Sequence, residues 1–270
     1  MMTFERDQEM PVALTIAGLD PSGGAGIIAD LKTFTAFGCF ATAAVTSLTF
    51  QNTTGLFGAE HQTPETVRAQ VLPLVRDFRI AAVKTGMLPT APVVREVARL
   101  LHEDSLPAPV VDPVVRSTSG YDLIDDDALA ALIKELLPLA RVLTPNIPEA
   151  EQLTGLSISD EEGMGRAATR LREMGARAVL VKGGHLPGAS GAIDLLDDAG
   201  AVTIFSGERI ETGSTHGTGC TLSAAIAACL ARGLSLQESV ARAKRFVTEA
   251  IRRAPGLGQG HGPINPTAKG

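Results

Sequence analysis

A chain of 270 residues, 44% hydrophobic and 20% charged, has ordinary globular composition and length for one large α/β domain or two small ones. A net charge of −6, a single Tyr and no Trp argue against a nucleic-acid partner, and no apolar run approaches the ~20 residues of a membrane span. Three cysteines (Cys39, Cys220, Cys229) without C-x-x-C spacing fit neither a disulfide framework nor a zinc site. They place the chain in a reducing, cytoplasmic setting. The first ten residues lack the apolar stretch of a signal peptide.

The elements alternate along the chain. Val12 to Ala17 reads as a buried strand ending at Gly18. A glycine loop follows, then a helix from Ile27 to Phe37 stopped by Gly38. Ala41 to Phe50 is a second strand, trailed by polar Gln51 to Thr54. Pro64 opens a helix through Val67, Val71, Leu72 and Val75. Strands over 80–85, 108–112 and 141–144 alternate with helices over 91–102 and 125–137, and the triple carboxylate Asp125 to Asp127 reads as a solvated helix start. A helix over 160–174 and a strand over 178–182 precede a hairpin of 192–196 and 201–205. Two helices, 218–232 and 236–253, precede a Gly/Pro-rich tail.

This order implies right-handed crossovers and a mainly parallel sheet with helices on both faces. One domain over 1–270 is expected, with loose ends at 1–10 and 264–270. Ligands of such sheets bind at the carboxyl ends of the strands. The unusual residues fall there: Asp20, Gln51, Met87, Asp112, Asn146 and Lys182.

The most informative stretch is Gly217-Thr218-Gly219-Cys220. Two glycines around Thr218 let successive amides converge, and the following helix adds its unpaired N–H groups and positive dipole end. That is an anion hole, with phosphate the usual occupant. Cys220, on the first helical turn, is expected to favour the thiolate. His216 precedes this loop and is a weaker candidate base, while His185 and His261 lie in glycine-rich loops. Asn146 and Glu149 fit either a cap or an oxygen-ligand pair for Mg²⁺. Lys182 suits nucleotide phosphates as a point charge, or is a surface strand end. Asp112 orders a metal-bound water or forms an Asx turn.

No G-K dipeptide occurs, so a P-loop is excluded. Gly24-Ala25-Gly26 loosely fits a dinucleotide fingerprint, but no carboxylate ends the second strand. These glycines read instead as a mobile flap that leaves Asp30 to reach a substrate.

Taken together, the motifs resemble the ribokinase superfamily, and within it the hydroxymethylpyrimidine/phosphomethylpyrimidine kinases. The matching runs are ALTIAGLDPSGGAGIIADLKTF, QNT, VKTGML, VVDPV, LTPNIPEAE, LVKGGH, STHGTGCTLSAAIA and GHGPINP, in order over nearly the whole chain. The resemblance implies a ribokinase-like α/β fold without a separate β-lid, usually a homodimer, using ATP and Mg²⁺. It also implies Asp30 and Gln51 on an aminopyrimidine, with Gly18, Met87 and Val114 lining the pocket. Cys220 would take the alcohol proton, and Gly217, Thr218 and Gly219 would hold the phosphoryl group. Lys182 would meet the nucleotide phosphates, with Glu149, Asn146 and Asp112 serving Mg²⁺. The chain departs from the family at Val115 (usually Met) and Thr118 (usually a lid Lys), and at Leu19 (usually Ser or Thr) and Ile28 (usually Gln). Pyridoxal kinase is the close alternative, although strong pyridoxal kinases of this branch carry a second cysteine where Ser117 stands. A silent ligand-binding relative is the third reading, and the joint presence of Cys220, Lys182 and Glu149 counts against it.

Overall fold

Residues 10–104, 106–115, 123–184, 186 and 191–267 are described by the computed structural model. The lid positions Ser117 and Thr118, together with His185, lie outside them. Nine strands form one sheet in the order β3-β2-β1-β4-β5-β6-β7-β8-β9. They are β1 (Val12–Leu19), β2 (Phe40–Asn52), β3 (Gly55–His61), β4 (Ile80–Thr85), β5 (Val110–Val111), β6 (Val142–Leu143), β7 (Ala178–Gly183), β8 (Ala192–Asp198) and β9 (Ala201–Gly207). From β2 to β7 all neighbours run parallel, and β3, β8 and β9 are antiparallel additions at the two edges.

The helices are α1 (Gly26–Ala36), α2 (Pro64–Asp77), α3 (Ala91–Glu103), α4 (Asp126–Ala131), α5 (Ile147–Thr154), α6 (Glu161–Glu173), α7 (Thr218–Ala231) and α8 (Leu236–Arg252). One face of the sheet packs on α2 to α6, through residues such as Val67, Val97, Leu136 and Leu171. The other packs on α1, α7 and α8, through Phe34, Ala224, Ile226 and Val240. The small residues of α7 let it lie close against the sheet, so that nine of its fourteen residues are buried.

Several elements end as their chemistry requires. Thr63 caps α2 and Pro64 sits in its first turn, where a missing N–H costs nothing. Asp125 caps α4, accepting from Ala128 N at 2.7 Å, so the acidic triplet is a helix start as expected. Ser235 and Glu238 form a reciprocal capping box on α8.

Three expectations are corrected. Residues 55–61 form β3, because Asn52 to Thr54 make a hairpin turn rather than leading to a loop. The helix begun at Asp126 does not run uniformly to Leu137. It passes into one π turn over Leu132–Leu136 and a 3₁₀ turn over Leu137–Leu139, where Pro138 cannot continue the α ladder. The tail is also anchored further than expected: Ile264 is 3% exposed and Asn265 N donates to Ala250 O at 2.9 Å.

Phe34 is fully enclosed between α1, the sheet and α7. Phe34→Ala is expected to cost about 3–5 kcal/mol through lost transfer energy and the cavity left behind, read as a lowered urea midpoint with unchanged m-value.

Candidate active site

The order of the sheet reverses at β1, with β2 on one side and β4 on the other. Such a switch point opens a crevice at the carboxyl ends of the strands. The β1 register shifts between Ala17 and Gly18, bending the chain where it enters the following loop. The amino end of α7 comes in above this crevice.

Gly217 is the cap residue of α7, with φ of +84°, a left-handed conformation that a side chain would strain. A Cβ there would also run into the carbonyl oxygen of Gly24. Thr218, Gly219 and Cys220 follow, all half-buried and reachable. A Cβ on Gly219 would come 3.2 Å from Lys182 Nζ and 3.8 Å from Asp112 Oδ2. The amide loop, the lysine and the aspartate therefore meet at one place, from three separated segments. No acidic residue occupies the first turn of α7, so its dipole end is left for an anion.

Lys182 closes β7 and is tied at 3.0 Å to Asp112 Oδ1, with Glu149 Oε2 at 4.0 Å. Its surface-strand alternative is ruled out by this pairing and by a side chain only 14% exposed. Asp112 also accepts from Thr144 Oγ1 at 3.3 Å and from Ser223 Oγ at 3.3 Å. Burial works against its charge, but Lys182 and Lys84 outweigh it and hold the carboxyl below the usual range. Asn146 and Glu149 make a reciprocal capping box on α5, with Glu149 N to Asn146 Oδ1 and Asn146 N to Glu149 Oε2 both at 2.8 Å. The capping pair thus lies beside Lys182. Burial pushes the Glu149 carboxyl up to about 7, partly opposed by Lys182.

At the end of β1, Gly18 lies against Met87, whose Sδ would be 3.0 Å from an added Cβ. Thr46 Oγ1 holds the Met87 carbonyl at 2.7 Å. Gln51 Nε2 donates to Thr49 Oγ1 at 2.7 Å, and Thr49 in turn donates to Leu19 O. Val114, half-buried, follows Asp112 in a tight turn with Val114 N on Asp112 O.

Asp30 is placed differently from the expectation. It is fully buried, with Oδ2 bonded to Lys84 Nζ at 2.8 Å and to Thr15 Oγ1 at 2.6 Å and Oδ1 without a hydrogen-bond partner. Within the glycine loop, the Asp20 carboxylate accepts from Ser22 N, Ser22 Oγ and Ala25 N. Lys84, which no local motif marks, completes this buried cluster. Burial works against its charge, yet Asp30, Cys220 and Asp112 hold it above the usual lysine range. A lysine facing inward from an otherwise apolar strand, opposite an aspartate on the buried stripe of α1, was the available signal.

The thiolate expectation for Cys220 is also corrected. Burial pushes its thiol up to about 11; Lys84 lowers it, while Asp112 and Asp30 raise it. The helix dipole is outweighed by desolvation, and the ligand-free resting form at neutral pH is the thiol.

The description "Phosphomethylpyrimidine kinase" belongs to the family model that matches residues 20–265. The chain belongs to the phosphomethylpyrimidine kinase family. It is 50% identical over 266 residues to a thiamine biosynthesis bifunctional protein of Geobacter sulfurreducens, covering 98% of this chain and 54% of that one. The chain thus spans about half the length of that relative. A hydroxymethylpyrimidine/phosphomethylpyrimidine kinase of Bacillus subtilis is 44% identical over 253 residues, 94% of this chain and 93% of its own. Among solved structures, an ADP complex of Bacillus subtilis pyridoxal kinase superposes with a TM-score of 0.89 at 37% identity, over 96% of this chain and 98% of that one. The kinase family and the ribokinase-like fold thus agree with the motif resemblance.

Two measurements test the electrostatics of this cluster. Lys84→Met leaves a buried carboxylate without its partner and is expected to cost about 3–5 kcal/mol in urea unfolding, with much of the loss recovered in Lys84→Met/Asp30→Asn. For Glu149, a pKa raised from 4.5 to about 7 means that the folded state binds the extra proton. Its contribution is complete below pH 4.5 and is lost as pH rises through about 7. Glu149→Gln should therefore gain stability relative to wild type across that window, read as Tm against pH; parallel curves would contradict it.

Proposed function

We propose that this chain transfers the terminal phosphoryl group of ATP to the hydroxymethyl group of 4-amino-5-hydroxymethyl-2-methylpyrimidine, and then to its monophosphate. The observation that carries this is the meeting of the Gly217–Gly219 amides, Lys182 and Cys220 at the strand ends. Family membership supports the substrate class. One domain over 1–270 accounts for the single continuous sheet.

The acceptor sits between Gly18, Met87, Gln51 and Val114, with its hydroxymethyl oxygen toward Cys220. Gly217, Thr218 and Gly219 donate their amides to the phosphoryl oxygens, where negative charge develops as the leaving oxygen departs. Lys182 holds the nucleotide phosphates as a point charge, and Asp112 orients that lysine. Cys220 Sγ takes the proton of the attacking hydroxyl as the oxygen–phosphorus bond forms. Asp30 does its work indirectly, by keeping Lys84 charged beneath the pocket.

Mg²⁺ fits the donor set. No group of three His, Cys, Asp or Glu side chains occurs among the described residues. Glu149 and Asp112 nevertheless offer oxygen donors beside the phosphate loop, and Mg²⁺ is usually held by one or two carboxylates together with waters and phosphates. Glu149 would hold it, directly or through water, with Asp112 and Asn146 in support. When bound, the ion supplies neutralisation of phosphate charge. A cytoplasmic homodimer is proposed on the family resemblance. The three cysteines are free, which suits a reducing compartment, and no helix among the described residues is long and apolar enough to cross a membrane.

Pyridoxal kinase is the second reading, favoured by the likeness to the Bacillus subtilis pyridoxal kinase. Turnover with Mg-ATP and each alcohol decides between them: the pyrimidine alcohol should lead in kcat/KM by about tenfold or more, and a lead for pyridoxal would reverse the assignment. Cys220→Ala should fold normally and lose about 10²–10⁴-fold in kcat. Because the basic form is the thiolate, wild-type kcat/KM should climb with pH toward about 11, whereas Cys220→Ala should be flat. A flat wild-type profile between pH 7 and 9 would remove Cys220 from the role of base.

A further inference from the structure

The loop after β1 and the loop before α7 meet at one buried pair. The carboxylate of Asp20 accepts from Ser22 N at 2.8 Å, Ser22 Oγ at 2.9 Å and Ala25 N at 2.8 Å, which together hold the glycine loop in shape. The same carboxylate lies 2.8 Å from His216 Nε2, nearly two hundred positions along the chain. Asp20 is 1% exposed and His216 8%. Burial works against the Asp20 charge, but His216 and Ser22 outweigh it and hold the carboxyl below the usual range.

Around this pair, backbone meets backbone. A Cβ on Gly24 would run into the His216 ring and Pro263, and one on Gly217 into the Gly24 carbonyl. His216 N also donates to Gly262 O at 3.1 Å, so the anchored tail supports the same junction. His216 is the residue immediately before the phosphate loop. The Asp20 loop leads directly from Gly18, on the acceptor side, into α1.

We propose that His216, held by Asp20, is a positioning residue that fixes the phosphate loop against the acceptor loop. Phosphoryl transfer requires the attacking oxygen and the phosphorus to be brought within about 3–3.5 Å in line, and a misplacement of about 1 Å costs on the order of 10²-fold. The two reacting groups are carried by two different loops. A buried, charge-assisted bond from His216 Nε2–H to Asp20 gives their separation one value.

The proposal rests on the phosphoryl-transfer reading, so its test has a readout that survives the failure of that reading. The variants are His216→Ala, His216→Gln, which can still present an amide N–H to Asp20, and Asp20→Asn. In the ligand-free protein, His216→Ala should speed amide hydrogen exchange by about tenfold or more in residues 20–25 as well as in 214–219. It should lower kcat by about 10²-fold while the Kd of the pyrimidine alcohol alone, measured by calorimetry, moves less than about threefold. His216→Gln should recover most of both losses. Exchange faster only in 214–219 would overturn the proposal. So would His216→Gln being as inactive as His216→Ala with exchange like wild type, since the imidazole itself would then be needed. Should wild type not phosphorylate the pyrimidine alcohol, the substrate assignment fails, and the exchange pattern still decides the clamp. If His216→Ala does not fold, the exchange pattern of Asp20→Asn, expected to loosen both loops, decides in its place.

Discussion

The structure depends on one close approach of bare backbone. Gly217 adopts a left-handed conformation with the Gly24 carbonyl packed where any side chain would stand. This contact sets the start of α7 against the loop after β1, and Lys182 and Asp112 lie close to Gly219. The composition of α7 follows from the same requirement. Ala224, Ala225, Ala227 and Ala228 are fully buried because only small residues let the helix sit so near the sheet.

The charges around that helix end are arranged in layers. Nearest the amides is Lys182, paired with Asp112 and approached by Glu149. In a second layer Lys84 pairs with Asp30, both without solvent exposure. Two ammonium groups beside a helix amino terminus make a region suited to polyphosphate, although the whole chain carries −6. In the proposed reading, local geometry and not net charge is what lets this acidic protein hold phosphate. The same low-dielectric setting keeps the Cys220 sulfur protonated at rest, so its basicity is strong but sparsely populated.

Much of this was legible in the sequence, for reasons that differ by element. Ile80 to Thr85 emerges as read, because an apolar run bounded by Arg79 and Gly86 has one natural reading. Asp125 and Asn146 announce helix starts by local hydrogen-bonding chemistry that tertiary structure leaves intact. Residues 55–61 were not seen as a strand, because two glycines interrupt their alternation and pairing with β2 supplies what propensity does not. The turn at Gly217 before α7 was legible because glycine spacing dictates backbone conformation. Which way a side chain turns was less so. Asp30 has the composition of a substrate contact, yet its position on the buried stripe of α1 gives it to Lys84. The partner of His216 lies nearly two hundred residues away, beyond the reach of any local pattern.

The central claim is that amides at the start of α7 hold the transferred group. The direct measurement is the amide ¹H–¹⁵N spectrum of the full chain as Mg-ADP, fluoroaluminate and the pyrimidine alcohol are added together to mimic the transferring phosphoryl. The account predicts that the Gly217, Thr218 and Gly219 amides shift and become protected from exchange only when all three are present. If those amides stay unmoved while the ternary mimic forms, the phosphoryl group is held elsewhere and the account is wrong.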